Sequence, residues 1–421
     1  MGIKVLANKS KFVLTAWIIW IIAALYYSYE FFLRISPTVM VPDLMHAFSV
    51  NAATLGVLSA CYYYAYASMQ IPVGMLLDRF GIRRLLTLAA ILVALGCFAF
   101  AHTTQLWVAE VGRVFMGLGS AFAFISCVKL ARAWFSHTWL AVVIGLTNTL
   151  GVMGAMFGGA PLAHFVESVG WRTTLWVAGF IGITLALLIA LIVRDAPAHI
   201  NSEKATVHQF WQDLKYVISR RNNWLVAIFA GLMVAPISAF TELWSVPFLI
   251  QVHHITRVDA ALLSTVMFIG IACGGPVHGW LSGILKSRLP VLRGGAMGAL
   301  VCLLLILYIP ISSKIILVGL LFLFGFFTSS MLLCFAINSE NNPLWATGVA
   351  IGFTNMLVMA GGALFQPLVG YLLDVFAGVK SHQVVTQFST HNFQLALTVL
   401  PICLLCAVIL VHFIKAEKKY E

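Results

Sequence analysis

A glutamate and an arginine four residues apart, Glu30 and Arg34, interrupt the apolar and aromatic run AALYYSYEFFLRISP. On a helix that spacing puts both side chains on one face, where they can neutralise each other or hold a polar ligand. A second isolated acid, Glu242, stands in AFTELWSVPF, and Arg113 is the isolated cation of GRVFMGLGS. Ionisable groups inside apolar helices are costly, about 2.5–3.5 kcal/mol each on insertion scales, and usually face a pathway or a partner. Tyr62, Tyr66 and Gln70 recur at four-residue spacing, which makes one polar stripe on a helix. Asn148 and Asn355 occupy matching G-x-T-N-x-L segments and could either contact a ligand or bridge helices. These groups suit reversible binding and proton uptake. The sequence has no metal-ligand spacing, nucleophile–base pair, P-loop or dinucleotide fingerprint, so no cofactor is expected and the chain does not read as an enzyme.

The elements that must position these residues follow from composition. Hydrophobic residues make up 61% of the chain and charged residues 9%, against about 45–50% and about 25% in soluble domains. Apolar runs long enough to cross a bilayer follow one another almost without a break, and strand alternation is absent. Breaking them at charge clusters and turn residues predicts about twelve helical spans: 12–40, 53–77, 85–103, 106–134, 139–164, 173–193, 224–249, 260–283, 294–312, 315–337, 345–373 and 392–414. The fold class is therefore an all-α, multi-pass membrane protein in contact with the lipid bilayer. The first run is too long for a cleaved leader and reads as an anchor. Basic clusters at DRFGIRR, KLARAW, SRR, LKSRLPVLR and KAEKKYE fit an orientation with both termini cytoplasmic. The net charge of +11 is this bias, not a nucleic-acid footprint. All eight cysteines fall in spans; Cys403 and Cys406 read as packing residues.

Two readings of Glu30 and Arg34 stay open. Counting about 1.5 Å per residue puts Glu30 in the outer half of the bilayer. Tyr26, Tyr27 and Tyr29 could then be an interfacial belt with the charges in wet headgroup. Against that, the apolar run continues through Phe31, Phe32 and Leu33, and Glu242 stands at the matching place about 212 residues on.

The longest polar interruption, 194–223, divides the chain into 1–193 and 224–421. Within it, HQFWQDLKYVIS has the apolar spacing of a short surface helix. The two halves are related. GLTNTLGVMGA and GFTNMLVMAGG lie about 207 residues apart, and IPVGMLLDRFGIRR and GPVHGWLSGILKSR share Pro-Val, Gly and a basic end at a similar offset. A parallel duplication of six helices accounts for these matches and for the Glu30–Glu242 pair.

GMLLDRFGIRR, from Gly74 to Arg84, resembles the G-x-L-x-D-R-x-G-x-R-R loop between helices 2 and 3 of the major facilitator superfamily. GRVFMGLGS resembles that family's R-x-x-x-G-x-G in helix 4. The resemblance covers the whole chain and implies the major facilitator fold, two pseudo-symmetric six-helix bundles, usually monomeric. It implies that Gly74, Asp78, Arg79, Gly81, Arg83 and Arg84 form a cytoplasmic gate motif that locks the outward-open state. Gly74 would allow close helix approach, and Arg79, Arg83, Arg84 and Arg132 are the available cationic partners of Asp78. The second copy has Gly283 where Asp78 would be. Helix 5 lacks the G-P-x-x-G-G of drug/proton antiporters.

The resemblance further implies that helices 1, 4, 7 and 10 line a central path, and that Arg113 serves proton coupling or an anionic substrate. Lys129 reads as a snorkelling side chain and His278 as a satisfied packing residue. YEFFLRISPTVM and YYYAYASMQIPVGMLLDRFG look like the phagosomal nutrient-transporter branch of intracellular gammaproteobacteria. The expected function is secondary active transport at a bacterial inner membrane, by proton-coupled uptake of a small zwitterion such as an amino acid. A sugar acid or carboxylate siderophore, a nucleoside, drug efflux and a transporter-fold sensor are the alternatives.

Overall fold

A computed structural model describes residues 2–195, 207–343, 345–379 and 388–415. The remaining linker residues and the basic tail beyond Lys415 lie outside the described residues, as do the side chains of Lys4, Lys9 and Lys11. Ten helical stretches among the described residues are apolar and long enough to cross a membrane. The longest, Val142–Ile192, turns at Gly170, whose φ of +83° is open to glycine, and so makes two crossings. A further crossing is formed by Ala52–Met69 and Val73–Phe80, joined through Pro72. The result is the twelve-helix architecture expected from the sequence. With twelve crossings, the start of the first described helix and the end of the last share one face, here the terminus face; the opposite one is the far face.

Boundaries differ from expectation where glycine and proline act. The second span bends at Gln70–Pro72 instead of running straight, because proline lacks an N–H and disfavours helix before it. The fifth span runs on to Gly170, beyond its expected end. The seventh, Arg221–Pro236, continues as a π-helix over Ile237–Trp244 and resumes as Ser245–His253. Pro236 breaks the regular ladder at the entry to that segment.

Packing inside each half uses small residues, since lipid supplies no hydrophobic drive between helices. The third span (Ile82–His102) meets the fourth (Leu106–Ser120, Ala123–Trp134) at Gly96 and Gly112. A Cβ on Gly96 would fall 2.5 Å from the Gly112 carbonyl, and one on Gly112 2.8 Å from the Gly96 carbonyl. Gly117 of the fourth span rests in the same way on the backbone of Tyr62.

Among the described residues, the main contacts between the halves run along three helix pairs. The second span packs along the eleventh, Thr347–Phe376, whose Asp374 accepts the N–H groups of Ala52 (3.1 Å) and Ala53 (2.8 Å). The fifth packs on the eighth, Arg257–Ile284, at Gly159 and Thr265. The first, Gly2–Ile35, with its 3-10 extension Ser36–Val39, meets the seventh where Thr38 donates to the Leu243 carbonyl at 3.1 Å. A helix over Val207–Ser219 lies against the second half, with Tyr216 on Trp345 at 4.9 Å.

Candidate functional site

Glu30 and Arg34 are buried, 1% and 5% exposed. Tyr26, Tyr27 and Tyr29 beside them are buried too, and Tyr29 donates to the Ala178 carbonyl at 2.7 Å. That overturns the wet-headgroup reading, because an interfacial belt would leave those rings exposed. Arg34 donates to Glu30 Oε1 through Nε at 3.1 Å and through Nη2, and Tyr62 donates to the same oxygen at 2.7 Å. The guanidinium also lies 4.0 Å from the Phe31 ring centre and 5.6 Å from that of Tyr66. Three donors therefore converge on Oε1, while Oε2 is buried with no hydrogen-bond partner.

Glu242 comes from the other half. It is 4% exposed on the π-helical segment, close enough to Arg34 for their charges to interact, and its Oε2 has no partner. The segment is held by a reciprocal tie that the sequence did not reveal. Gln366 of the eleventh span donates to the Ser238 carbonyl at 2.8 Å, and Trp244 Nε1 donates to the Gln366 carbonyl at 3.3 Å. Sequence matching paired Glu30 with Glu242 but gave no sign of the π-turn that aims the second acid.

Arg113, expected as a ligand or proton-coupling cation, is 1% exposed; its two terminal nitrogens reach backbone carbonyls, while Nε is buried with no hydrogen-bond partner. Nη1 donates to the Leu33 carbonyl (3.1 Å), Nη2 donates to the Ser59 carbonyl (3.3 Å), and the guanidinium lies 4.9 Å from the Tyr62 ring centre. It ties the first, second and fourth spans together behind the ion pair. Tyr62 stacks on Tyr66 at 5.9 Å, and Gln70 Oε1 accepts from Asn355 at 2.6 Å, joining the halves. The expected equivalence of the two asparagines fails. Asn148 is exposed, while Thr147 beside it accepts from Trp20 Nε1 at 3.1 Å.

The loop motif is also arranged otherwise than expected. Asp78 pairs with Lys129 rather than with Arg79, Arg83, Arg84 or Arg132, and Lys129 also donates to the Gly74 carbonyl at 3.1 Å. Lys129 reaches the loop because its turn of the fourth span faces the second; it is not merely a snorkelling group. Gly74 is not at a tight crossing, since a Cβ there would meet nothing within 4 Å. Gly81, at φ +86°, turns the chain into the third span, whose first N–H groups, on Ile82 (2.7 Å) and Arg83 (2.9 Å), are accepted by Asp195. Arg83 itself donates to the Ala190 carbonyl at 2.8 Å. Arg288 pairs with Glu340 in the second half, donating at 2.9 Å. His278 contacts Ser329 Oγ at 3.1 Å and the Phe326 ring at 4.8 Å, a satisfied packing position.

Residues 19–366 match the model of the Major Facilitator Superfamily. The chain belongs to that superfamily. Among its relatives, the membrane sensor protein UhpC of Escherichia coli (strain K12) is 24% identical over 383 residues, covering 85% of each chain. The probable hexose phosphate transport protein of Chlamydia trachomatis is also 24% identical, over 91% of this chain and 87% of that one. In fold, a bacterial homologue of the human lysosomal transporter Spinster, inward-facing and unoccupied, aligns at a TM-score of 0.77 with 18% identity, over 95% of this chain and 96% of that one. A point mutant of the nucleoside transporter NupG aligns at 0.75 with 11% identity, over 94% and 99%. As a superfamily member, the chain is a multi-pass transporter acting on a small molecule, not an enzyme.

Proposed function

We propose that the transporter takes up a small zwitterion, such as an amino acid, in symport with protons. The observation that carries this reading is the placement of Arg34 and Glu242, opposite charges buried on the first and seventh spans where the two halves meet at the Thr38–Leu243 hydrogen bond. A carboxylate on Arg34 and an ammonium group on Glu242 would give both ligand charges a partner, as burial requires. The unpartnered oxygens of Glu30 and Glu242 are the proton acceptors in this scheme. Binding would draw Arg34 from Glu30, and the halves would rock about the site.

On this reading the terminus face is cytoplasmic, the membrane is a bacterial inner membrane and the protein works as a monomer, within the phagosomal nutrient branch. Asp78, Lys129 and the loop arginines act as the cytoplasmic gate, with the linker between the halves as a tether. Tyr62, Tyr66, Gln70 and Asn355 shape the site and Asn148 lines the approach.

The test is thermal stabilisation of the reconstituted protein across amino acids, nucleosides, sugar acids and hexose phosphates, followed by uptake with an imposed proton gradient. An amino-acid hit abolished by Arg34→Ala and by Glu242→Gln supports the proposal; a hit confined to polyanions replaces it with anion transport. The relative named as a sensor supplies a second reading: saturable binding without flux would support that one.

A further inference from the structure

Arg257 opens the eighth span, in the second half, yet its partners belong to the first half. Its Nη1 donates to Asp43 Oδ2 at 2.7 Å, and its Nε lies 4.0 Å from Glu167 Oε1. Asp43 sits on the short helix Val41–Phe48 that follows the first span, and Glu167 lies near the far end of the fifth. One guanidinium thus draws two separate elements of the first half against the second, all at the far face. On the terminus face, Asp78–Lys129 and Arg288–Glu340 each stay within one half.

We infer that Arg257, Asp43 and Glu167 form the far-face gate, an ionic latch that must part for the halves to open on that side. The latch is tied mechanically to the buried charges. Between Arg34 and Asp43 the chain runs through the 3-10 turn Ser36–Val39, where Thr38 holds the carbonyl of Leu243, next to Glu242. Parting the first and seventh spans at Thr38 therefore moves Asp43 away from Arg257, and a ligand that draws Arg34 and Glu242 together favours the closed latch. The gate assignment rests on the inter-half contacts alone and needs no particular substrate.

The three side chains are partly exposed, at 21% for Arg257, 32% for Asp43 and 45% for Glu167, so the latch biases the equilibrium without freezing it. Losing such a pair changes the open-to-closed ratio by about two- to fivefold. The test places spin labels, through non-canonical amino acids, at His46 and Ile255 of the full chain in nanodiscs. Pulsed-EPR distances are then compared for wild type, Arg257→Ala, Asp43→Asn and the full charge exchange Asp43→Arg with Arg257→Asp and Glu167→Lys. The expected result is a two- to fivefold gain of the longer distance in each single variant and a return toward wild type in the exchange. Unchanged distributions in the single variants, or an exchange as open as they are, would overturn the latch. If Arg257→Ala does not fold, Asp43→Asn and Glu167→Gln decide by the same measure. Because no substrate is added, a failure here is separate from a failure of the zwitterion proposal.

Discussion

Tyr62 of the second span donates a 2.7 Å hydrogen bond to Glu30 of the first, on the same carboxylate oxygen that Arg34 holds. The tyrosine is fully buried and Arg113 lies over its ring, so its hydroxyl cannot turn to water instead. Replacement by phenylalanine keeps the ring and its stacking on Tyr66 while removing one donor to a charged group. Tyr62→Phe is expected to lower unfolding free energy by about 1.5–3 kcal/mol. Thermal unfolding in detergent checks this; a variant as stable as wild type would mean that the hydroxyl is not needed to hold Glu30.

Breaking the ion pair itself should cost more. Arg34→Ala leaves Glu30 buried with the Tyr62 donor alone, and Glu30→Gln leaves Arg34 hydrogen-bonded to a neutral side chain, with Glu242 as its remaining opposite charge. Removing one member of a buried pair costs about 3–5 kcal/mol. The double variant Glu30→Gln with Arg34→Gln should recover part of that loss, as a double-mutant cycle on the melting curves would show.

Glu242→Gln should behave in the opposite way. Its Oε2 has no hydrogen-bond partner, so neutralising the side chain breaks no hydrogen bond of that oxygen and relieves a buried charge, giving up only the interaction with Arg34, which Glu30 still neutralises. Stability is expected to stay level or rise, while ligand-induced stabilisation disappears. Melting curves with and without an amino-acid ligand separate the two effects. A large loss of stability without ligand would show instead that Glu242 is a structural charge.

The two glycines of the second and fourth spans should part company. A Cβ on Gly117 would collide with the backbone of Tyr62, whereas one on Gly74 meets open space. Gly117→Ala is expected to cost about 1–3 kcal/mol by overpacking and to move Tyr62 away from Glu30. Gly74→Ala should stay within about 0.5 kcal/mol of wild type. Equal effects in parallel unfolding experiments would contradict the packing described.

Lys129→Gln frees Asp78 on the terminus face. Both side chains are partly exposed, 24% and 43%, so the stability change should be under about 1 kcal/mol. Transport rate is the sensitive readout: a changed rate at unchanged melting temperature supports a gating role, and an unchanged rate argues for a surface ion pair.

Much of this protein is fixed by local chemistry. Long apolar runs can satisfy their backbone in a bilayer only as helices, so composition and span length were enough for the twelve-helix fold. The rarity of charge in those runs singled out Glu30, Arg34, Arg113 and Glu242, all of which are buried. Partnership was not legible, because it depends on how helices are rotated and on where they bend. The π-turn at Ile237–Trp244 aims Glu242, and Gln366 pins that turn from a helix more than a hundred residues away. Only packing shows that Arg113 clamps backbone carbonyls, that Lys129 answers Asp78, and that Arg257 reaches two acids of the other half. Residue type and spacing announce that a buried charge needs a partner; three-dimensional proximity between distant segments decides which one it gets.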